Sequence, residues 1–222
     1  VITYAESIQK PDAAIFQRAC SLSVDLCVSH IERQLVANEY RVHEVYGRDG
    51  GSIVDTRYRD SKAIVPRHDE ELAFYIYEVV HQYFLENFSA QPCDSLVLAQ
   101  TEFFAYSAGV GLKMHADDHA LGADGRVLKR DVQRGITAIL YLNSEFDGGE
   151  IHFPKQDLEL RPSAGTLVVF PSNRNFPHEV KPILRGQRYS YQRIYGILNG
   201  RAESFLAENE AFGRDGFVIT RF

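Results

Sequence analysis

Arg134-Gly135-Ile136-Thr137-Ala138-Ile139-Leu140-Tyr141-Leu142-Asn143 reads as a strand over 135–142, rich in β-branched and aromatic residues and bounded by Gly135 and Asn143. Alternation along it places Thr137, Ile139 and Tyr141 on one face, so two hydroxyls point into the same space. Outward from this run the pattern repeats. Strand-like segments are expected at 95–105, 111–118, 150–153, 157–160, 166–170, 177–183 and 188–198, separated by turn signals such as Asp147-Gly148-Gly149 and Pro162 to Gly165. That spacing belongs to a sandwich or barrel.

Before Pro92 the pattern is different. Cys27, Ile31 and Leu35 recur at helical spacing behind a capping Ser23, which predicts a helix over about 24–36. Leu72, Tyr75, Ile76, Val79 and Tyr83 share a face behind Asp69, Glu70 and Glu71, which predicts a second helix over about 69–87. A short strand is expected at 40–46. Long loops are expected at 48–67 and 119–134, a weak amphipathic helix at 201–212 and an apolar tail at 217–222. The sequence predicts one domain over 1–222: a helical support region over 1–92, a β core over 93–200 and an extension over 201–222.

Composition narrows the function classes. With 222 residues, a net charge of -6 and a pI of about 5.8, the chain lacks the basic field that draws a phosphate backbone, so nucleic acid is not expected as a partner. Cys20, Cys27 and Cys93 contain no CxxC, which argues against a disulfide framework or a thiolate zinc site and for a reducing, cytoplasmic setting. No apolar run reaches membrane-spanning length and no basic-then-apolar leader is seen, so no membrane association is expected.

The chemistry gathers around Met114-His115-Ala116-Asp117. On an extended strand His115 and Asp117 project together, one offering an imidazole nitrogen and the other a carboxylate oxygen. His178, in Pro177-His178-Glu179-Val180, stands 61 residues after Asp117 (178 minus 117) in another expected strand. Two histidines and a carboxylate make the facial triad that holds non-haem Fe(II) and leaves three positions open. An HxD pair arises easily by chance, and zinc hydrolases use similar donors, although HExxH is missing here. Asp118 and His119 are adjacent alternatives, and His152 is a lesser candidate. The other histidines, His30 among them, read as surface or core residues. Further on, Gly186-Gln187-Arg188-Tyr189-Ser190 puts Arg188 and Ser190 on one face, a guanidinium and a hydroxyl suited to gripping a carboxylate.

The ordered combination of HxD, Tyr141-Leu142-Asn143, Gly148-Gly149-Glu150, Phe170-Pro171, Pro177-His178-Glu179-Val180 and Gly186-Gln187-Arg188, preceded by Tyr106-Ser107-Ala108-Gly109, resembles the 2-oxoglutarate- and Fe(II)-dependent oxygenases of the prolyl 4-hydroxylase-like type. The resemblance covers about 101–198. It implies a mainly β, α+β fold with a double-stranded β-helix (jelly roll) core and helices packed outside it. It also implies that His115, Asp117 and His178 hold Fe(II), that Arg188 pairs with the distal carboxylate of 2-oxoglutarate, and that Tyr141, Thr137 and Ser190 face that cosubstrate. Two positions set the chain apart from collagen-type members: Leu112 where many have an aromatic residue, and Arg188 where they have Lys. The Arg form resembles the oxygen-sensing branch and many small-molecule hydroxylases.

The implied reaction is hydroxylation of an unactivated C–H bond by dioxygen, with 2-oxoglutarate converted to succinate and carbon dioxide. The substrate would be a small amino acid, an amino-acid-derived molecule or a peptidyl residue, and the oligomeric state is left open. Arg57 and Arg59, in the 48–67 loop, are the residues expected to meet the substrate, with both long loops flanking the open face of the metal site. Leu167, Val169, Ile139 and Ile151 are the expected walls of the cavity. A non-catalytic jelly-roll binding module, or a peptidyl prolyl hydroxylase specifically, are the alternatives.

Overall fold

The apolar run through Ile136 lies in the middle of a sheet because both of its faces find cover. In the computed structural model, which describes residues 10, 13–19, 22–37, 41–42, 45–46, 52–53, 62–64, 66, 69–89, 94–121, 127–130 and 134–200, the strands run β1 (Phe16–Ala19), β2 (Arg41–Val42), β3 (Val45–Tyr46), β4 (Ser52–Ile53), β5 (Lys62–Ile64), β6 (Ser95–Ser107), β7 (Leu112–His115), β8 (His119–Leu121), β9 (Val127–Arg130), β10 (Ile136–Tyr141), β11 (Phe146–Gly148), β12 (Ile151–Phe153), β13 (Leu158–Leu160), β14 (Thr166–Pro171), β15 (His178–Val180) and β16 (Ile183–Leu198). The helices are α1 (Val24–Ala37) and α2 (Glu70–Asn87). The larger antiparallel sheet has the order β1-β14-β10-β16-β6-β5-β2, with β11 on the near end of β16; the smaller has the order β13-β12-β15-β7.

Alternation then divides the side chains between two layers. Ile136, Ala138 and Leu140 of β10, Leu167 and Val169 of β14, and Tyr191 and Tyr195 of β16 pack against the α2 residues Leu72, Ile76, Val79, Val80, Tyr83 and Phe84. Ile139 and Tyr141 of β10 and Val168 and Phe170 of β14 meet Ile151, Phe153 and Phe176 from the other side. Each fully buried aliphatic or aromatic side chain contributes roughly 1.5–3 kcal/mol by leaving water. Two sheets closed around a shared interior, with helices outside the larger one, make the jelly roll that the motif order implies.

The helices form where the periodicity places them. Ser23 Oγ accepts from the Leu26 N–H at 3.2 Å, and Cys27 and Ile31 are buried. The buried face of α1 also takes in His30 and Gln34, which the apolar pattern does not mark. Tyr83 donates from its hydroxyl to the Ala14 carbonyl at 2.7 Å, fastening the entry to β1 onto α2.

Several expectations are corrected. The 111–118 strand ends at His115, because the chain turns through Ala116 to His119, with the His119 N–H donating to Ala116 O at 3.1 Å. The 119–134 loop contains the paired strands β8 and β9, and the 48–67 loop contains β4, paired to β3, and β5, paired to β6. The 40–46 strand is two pieces in two different sheets, because β2 pairs with β5 and β3 with β4. Strands β1 and β11 were not expected from the sequence. Leu167 and Val169 face the helices, not the interior; Val168 and Phe170 take the inner positions. Arg57, Arg59, the 201–212 helix and the apolar tail lie outside the described residues.

Candidate metal and cosubstrate site

The two candidate histidines are set by strand register. His115 ends β7 and His178 opens β15, and the two are direct partners in the antiparallel ladder. Their ring centroids are 4.3 Å apart. Asp117 lies two residues beyond, in the turn, and brings its carboxylate back between them: Oδ1 is 3.4 Å from His115 Nε2 and Oδ2 is 3.8 Å from His178 Nε2. The three donor atoms lie within 4.8 Å of one another.

Each imidazole is oriented through its other nitrogen. His115 Nδ1 lies 2.8 Å from Lys113 O, and His178 Nδ1 lies 3.1 Å from Phe176 O. A carbonyl only accepts, so each Nδ1 carries a proton and donates it, and each Nε2 is turned toward Asp117. Phe153 and Phe170 enclose His178, with ring centroids at 5.3 and 4.8 Å. Burial alone would raise the Asp117 pKa, but His178, His115 and the Thr137 hydroxyl outweigh it and hold the carboxyl well below the usual carboxylate range. The donor set therefore fits a divalent metal: two imidazole Nε2 atoms, one ionised carboxylate and oriented outer partners.

The neighbouring residues sort themselves. Asp118 and His119 pair with each other, and Asp118 is held by its N–H to Ser172 O at 3.0 Å. His152 points away from the buried side of β12 and pairs with Glu179 at 3.1 Å, so it leaves the candidate set. Thr137 shares its face with Tyr141 as expected, but its hydroxyl donates to Asp117 Oδ2 at 2.7 Å.

Arg188 and Ser190 are each 2% exposed on β16, where Ser190 is the ladder partner of Tyr141 and Arg188 that of Tyr106. The Arg188 guanidinium lies 4.1 Å over the Tyr106 ring and 5.6 Å from the Tyr141 ring centroid. Its Nη1 donates to Gly149 O at 2.9 Å, while its Nε has no hydrogen-bond partner and no acidic side chain pairs with it among the described residues. A buried guanidinium in that condition costs free energy unless an anion joins it, and a planar carboxylate matches its fork. Burial pushes the Tyr141 hydroxyl up to about 12 against the pull of Arg188, so it stays protonated and can donate to the same anion. The residues thus fit a 2-oxoglutarate carboxylate. Arg185 and Arg193 do not compete: Arg185 pairs with Asp147 at the surface, and Arg193 reaches Ala73 O and Asp69 of the α2 start.

Tyr106 and Gly149 belong to the motif, but their contact with Arg188 is visible only in the structure. Tyr106 is the face on which Arg188 rests. Gly149, at φ 70°, turns its carbonyl toward Arg188, and a Cβ there would stand 2.4 Å from Ile183 Cδ1.

The 2OG-Fe(II) oxygenase superfamily profile matches residues 101–195. Among curated proteins, prolyl 3-hydroxylase 1 of Rattus norvegicus is 38% identical over 84 residues, which is 34% of this chain and 12% of that protein, so the chain spans a small part of this relative's length. Among solved structures, a Pseudomonas putida prolyl-4-hydroxylase superposes with a TM-score of 0.59 at 23% identity, covering 83% of this chain and 94% of that one. A Trichoplax adhaerens prolyl hydroxylase, solved with a hypoxia inducible factor oxygen degradation domain peptide fragment, superposes with a TM-score of 0.61 at 18% identity, covering 89% and 88%. These structural likenesses establish the fold. The profile of the 2OG-Fe(II) oxygenase superfamily thus lies across the donor cluster and Arg188, and residues 101–195 of this chain are similar to that superfamily.

Proposed function

We propose that this chain is a 2-oxoglutarate- and Fe(II)-dependent dioxygenase that hydroxylates an unactivated C–H bond, with a peptidyl residue, prolyl first, as its substrate class. Fe(II) bound with 2-oxoglutarate and dioxygen supplies the oxidation, the cosubstrate leaving as succinate and carbon dioxide. His115, Asp117 and His178 hold the metal through Nε2, one carboxylate oxygen and Nε2. Arg188 binds the distal carboxylate, steadied by the Tyr106 ring and Gly149 O, with the Tyr141 hydroxyl as a second donor and Ser190 beside it on the β16 face. Ile139, Val168, Phe153 and Phe170 exclude water from the interior between the sheets.

The observation that carries this reading is Arg188, a buried guanidinium with no acidic partner among the described residues, on the same enclosed interior as a three-donor metal cluster. A binding module without catalysis has no need of both. The peptidyl substrate is supported by the relatives named prolyl 3-hydroxylases and by the peptide in the T. adhaerens structure. We also place the protein in a reducing, cytoplasmic setting, on the cysteine pattern and the buried Cys27 thiol. Arg57 and Arg59 belong to the proposal as substrate contacts.

The test is succinate formation from 2-oxoglutarate with prolyl peptides, free proline, other free amino acids and amino-acid-derived metabolites offered in parallel. Turnover stimulated by prolyl peptides is expected. Stimulation by free amino acids or metabolites alone would discard the peptidyl substrate and keep the oxygenase. No iron-dependent succinate under any condition would discard both.

A further inference from the structure

We infer that Ser172 and Thr137 form a two-hydroxyl positioning chain that holds Asp117 so that one carboxylate oxygen, Oδ1, is offered to the metal while Oδ2 is retained by the protein. The inference rests on the metal-site reading above and deepens it. Asp117 needs such a device because it lies in a turn, beyond the last ladder pair of β7, whereas both histidines have their positions fixed by register.

The direction of the chain follows from counting protons. Thr137 has one hydroxyl hydrogen, and an ionised carboxylate only accepts, so the 2.7 Å contact to Asp117 Oδ2 takes that hydrogen. The 2.8 Å contact between Thr137 Oγ1 and Ser172 Oγ must then be donated by Ser172. Both hydroxyls are fully enclosed, Thr137 at 0% and Ser172 at 1% exposure, so water does not replace either one. In such surroundings a donor to a carboxylate is worth more than at the surface, and a missing one is costly.

The main chain on either side of the carboxylate is tied to the same two strands. Arg134 Nη1, just before β10, donates to Asp117 O at 3.0 Å, and the Asp118 N–H donates to the carbonyl of Ser172, just past β14, at 3.0 Å. The Ser172 N–H in turn donates to Gly135 O at 3.0 Å, locking the ends of β10 and β14 together. The turn that carries the third metal donor is therefore clamped by its backbone, and its carboxylate is set by Thr137 and Ser172. Because the Thr137 hydrogen goes to Asp117, Thr137 is a positioning residue for the metal and does not donate to 2-oxoglutarate.

The test is anaerobic titration of Co(II), followed by visible absorption, into wild type, Thr137→Val, Thr137→Ser and Ser172→Ala, with thermal melts of the metal-free proteins alongside. Thr137→Val should weaken Co(II) binding by about 10–100-fold, the usual effect of removing an outer partner of a metal ligand, and Ser172→Ala should weaken it less. Thr137→Ser, which keeps the hydroxyl, should bind close to wild type. The half-saturating 2-oxoglutarate concentration should stay at the wild-type value in Thr137→Ser. Wild-type Co(II) affinity in Thr137→Val, or in Ser172→Ala should the valine variant fail to fold, would overturn the inference and leave the metal site standing. So would a raised 2-oxoglutarate requirement with unchanged Co(II) affinity, which would give Thr137 to the cosubstrate. Failure of the wild type to bind Co(II) would remove the metal reading and the positioning chain together.

Discussion

His115 and His178 are cross-strand partners, and the β7–β15 ladder that joins them also sets the distance between two of the three metal donors. The pairing has a weak point that can be probed without touching the site. Gly111 precedes β7, and a Cβ built there stands 2.6 Å from Val180 O and 3.1 Å from Pro182 N, backbone atoms that cannot rotate away. Gly111→Ala should force β7 and β15 apart, cost about 1–3 kcal/mol of stability by overpacking, and weaken metal binding. Chemical denaturation and a Co(II) titration check it. Loss of stability with intact metal affinity would show that the ladder does not set the site.

Arg188 should behave as a buried cation awaiting an anion. Arg188→Ala should raise the 2-oxoglutarate requirement by an amount equivalent to about 2–5 kcal/mol, as for a desolvated charge pair. Arg188→Met, which fills the space without the charge, should leave the metal-free, cosubstrate-free protein melting no lower than wild type, because a guanidinium with no acidic partner among the described residues is removed from the interior. Tyr106→Leu should raise the 2-oxoglutarate requirement less than Arg188→Ala does, by loss of the stacking face. A drop in the melting temperature of Arg188→Met as large as that of a core truncation would contradict the assignment.

His30 offers a pH test of the packing between α1 and the larger sheet. It is 2% exposed, edge-on to the Tyr191 ring at 5.6 Å, and its Nε2 has no hydrogen-bond partner among the described residues. Burial, aided by Arg33, lowers its pKa from 6.5 to about 4. Below pH 6.5 the unfolded chain takes up a proton that the folded chain refuses until about pH 4. The contribution of neutral His30 is thus complete above pH 6.5 and is lost as the pH falls through that window, by at most about 3 kcal/mol. His30→Leu should flatten the dependence of unfolding free energy on pH between 6.5 and 4. An unchanged slope would assign it to other groups.

The sequence made the two helices and most strands of the core legible because their apolar periods are regular, and it made the metal and cosubstrate candidates legible because their motifs come in fixed order. Which side of a doubly covered strand faces the interior was harder to read. In β14 all six residues are buried, so Leu167 and Val169 look no different from Val168 and Phe170 until the helices are in place. Strand β1, Phe16-Gln17-Arg18-Ala19, has no alternation of its own and takes its conformation from pairing with β14. The hairpin β8–β9 was concealed because Gly122, Gly125 and the basic residues of the 119–134 segment read as a loop. The roles of Thr137 and Ser172 were hidden for a different reason: they depend on a turn at Ala116 to His119 that the strand reading of 111–118 excluded.

The central claim is that His115, Asp117, His178 and Arg188 together make one oxygenase site. It is tested most directly by a single turnover: metal-free protein is loaded anaerobically with one equivalent each of Fe(II) and 2-oxoglutarate, excess prolyl peptide is added, the mixture is exposed to dioxygen, and succinate is quantified. The account predicts about one succinate per chain from the wild type and none above background from His115→Ala or Arg188→Ala. Succinate at the wild-type level from either variant, or none from a wild-type chain shown to hold its Fe(II), would contradict it.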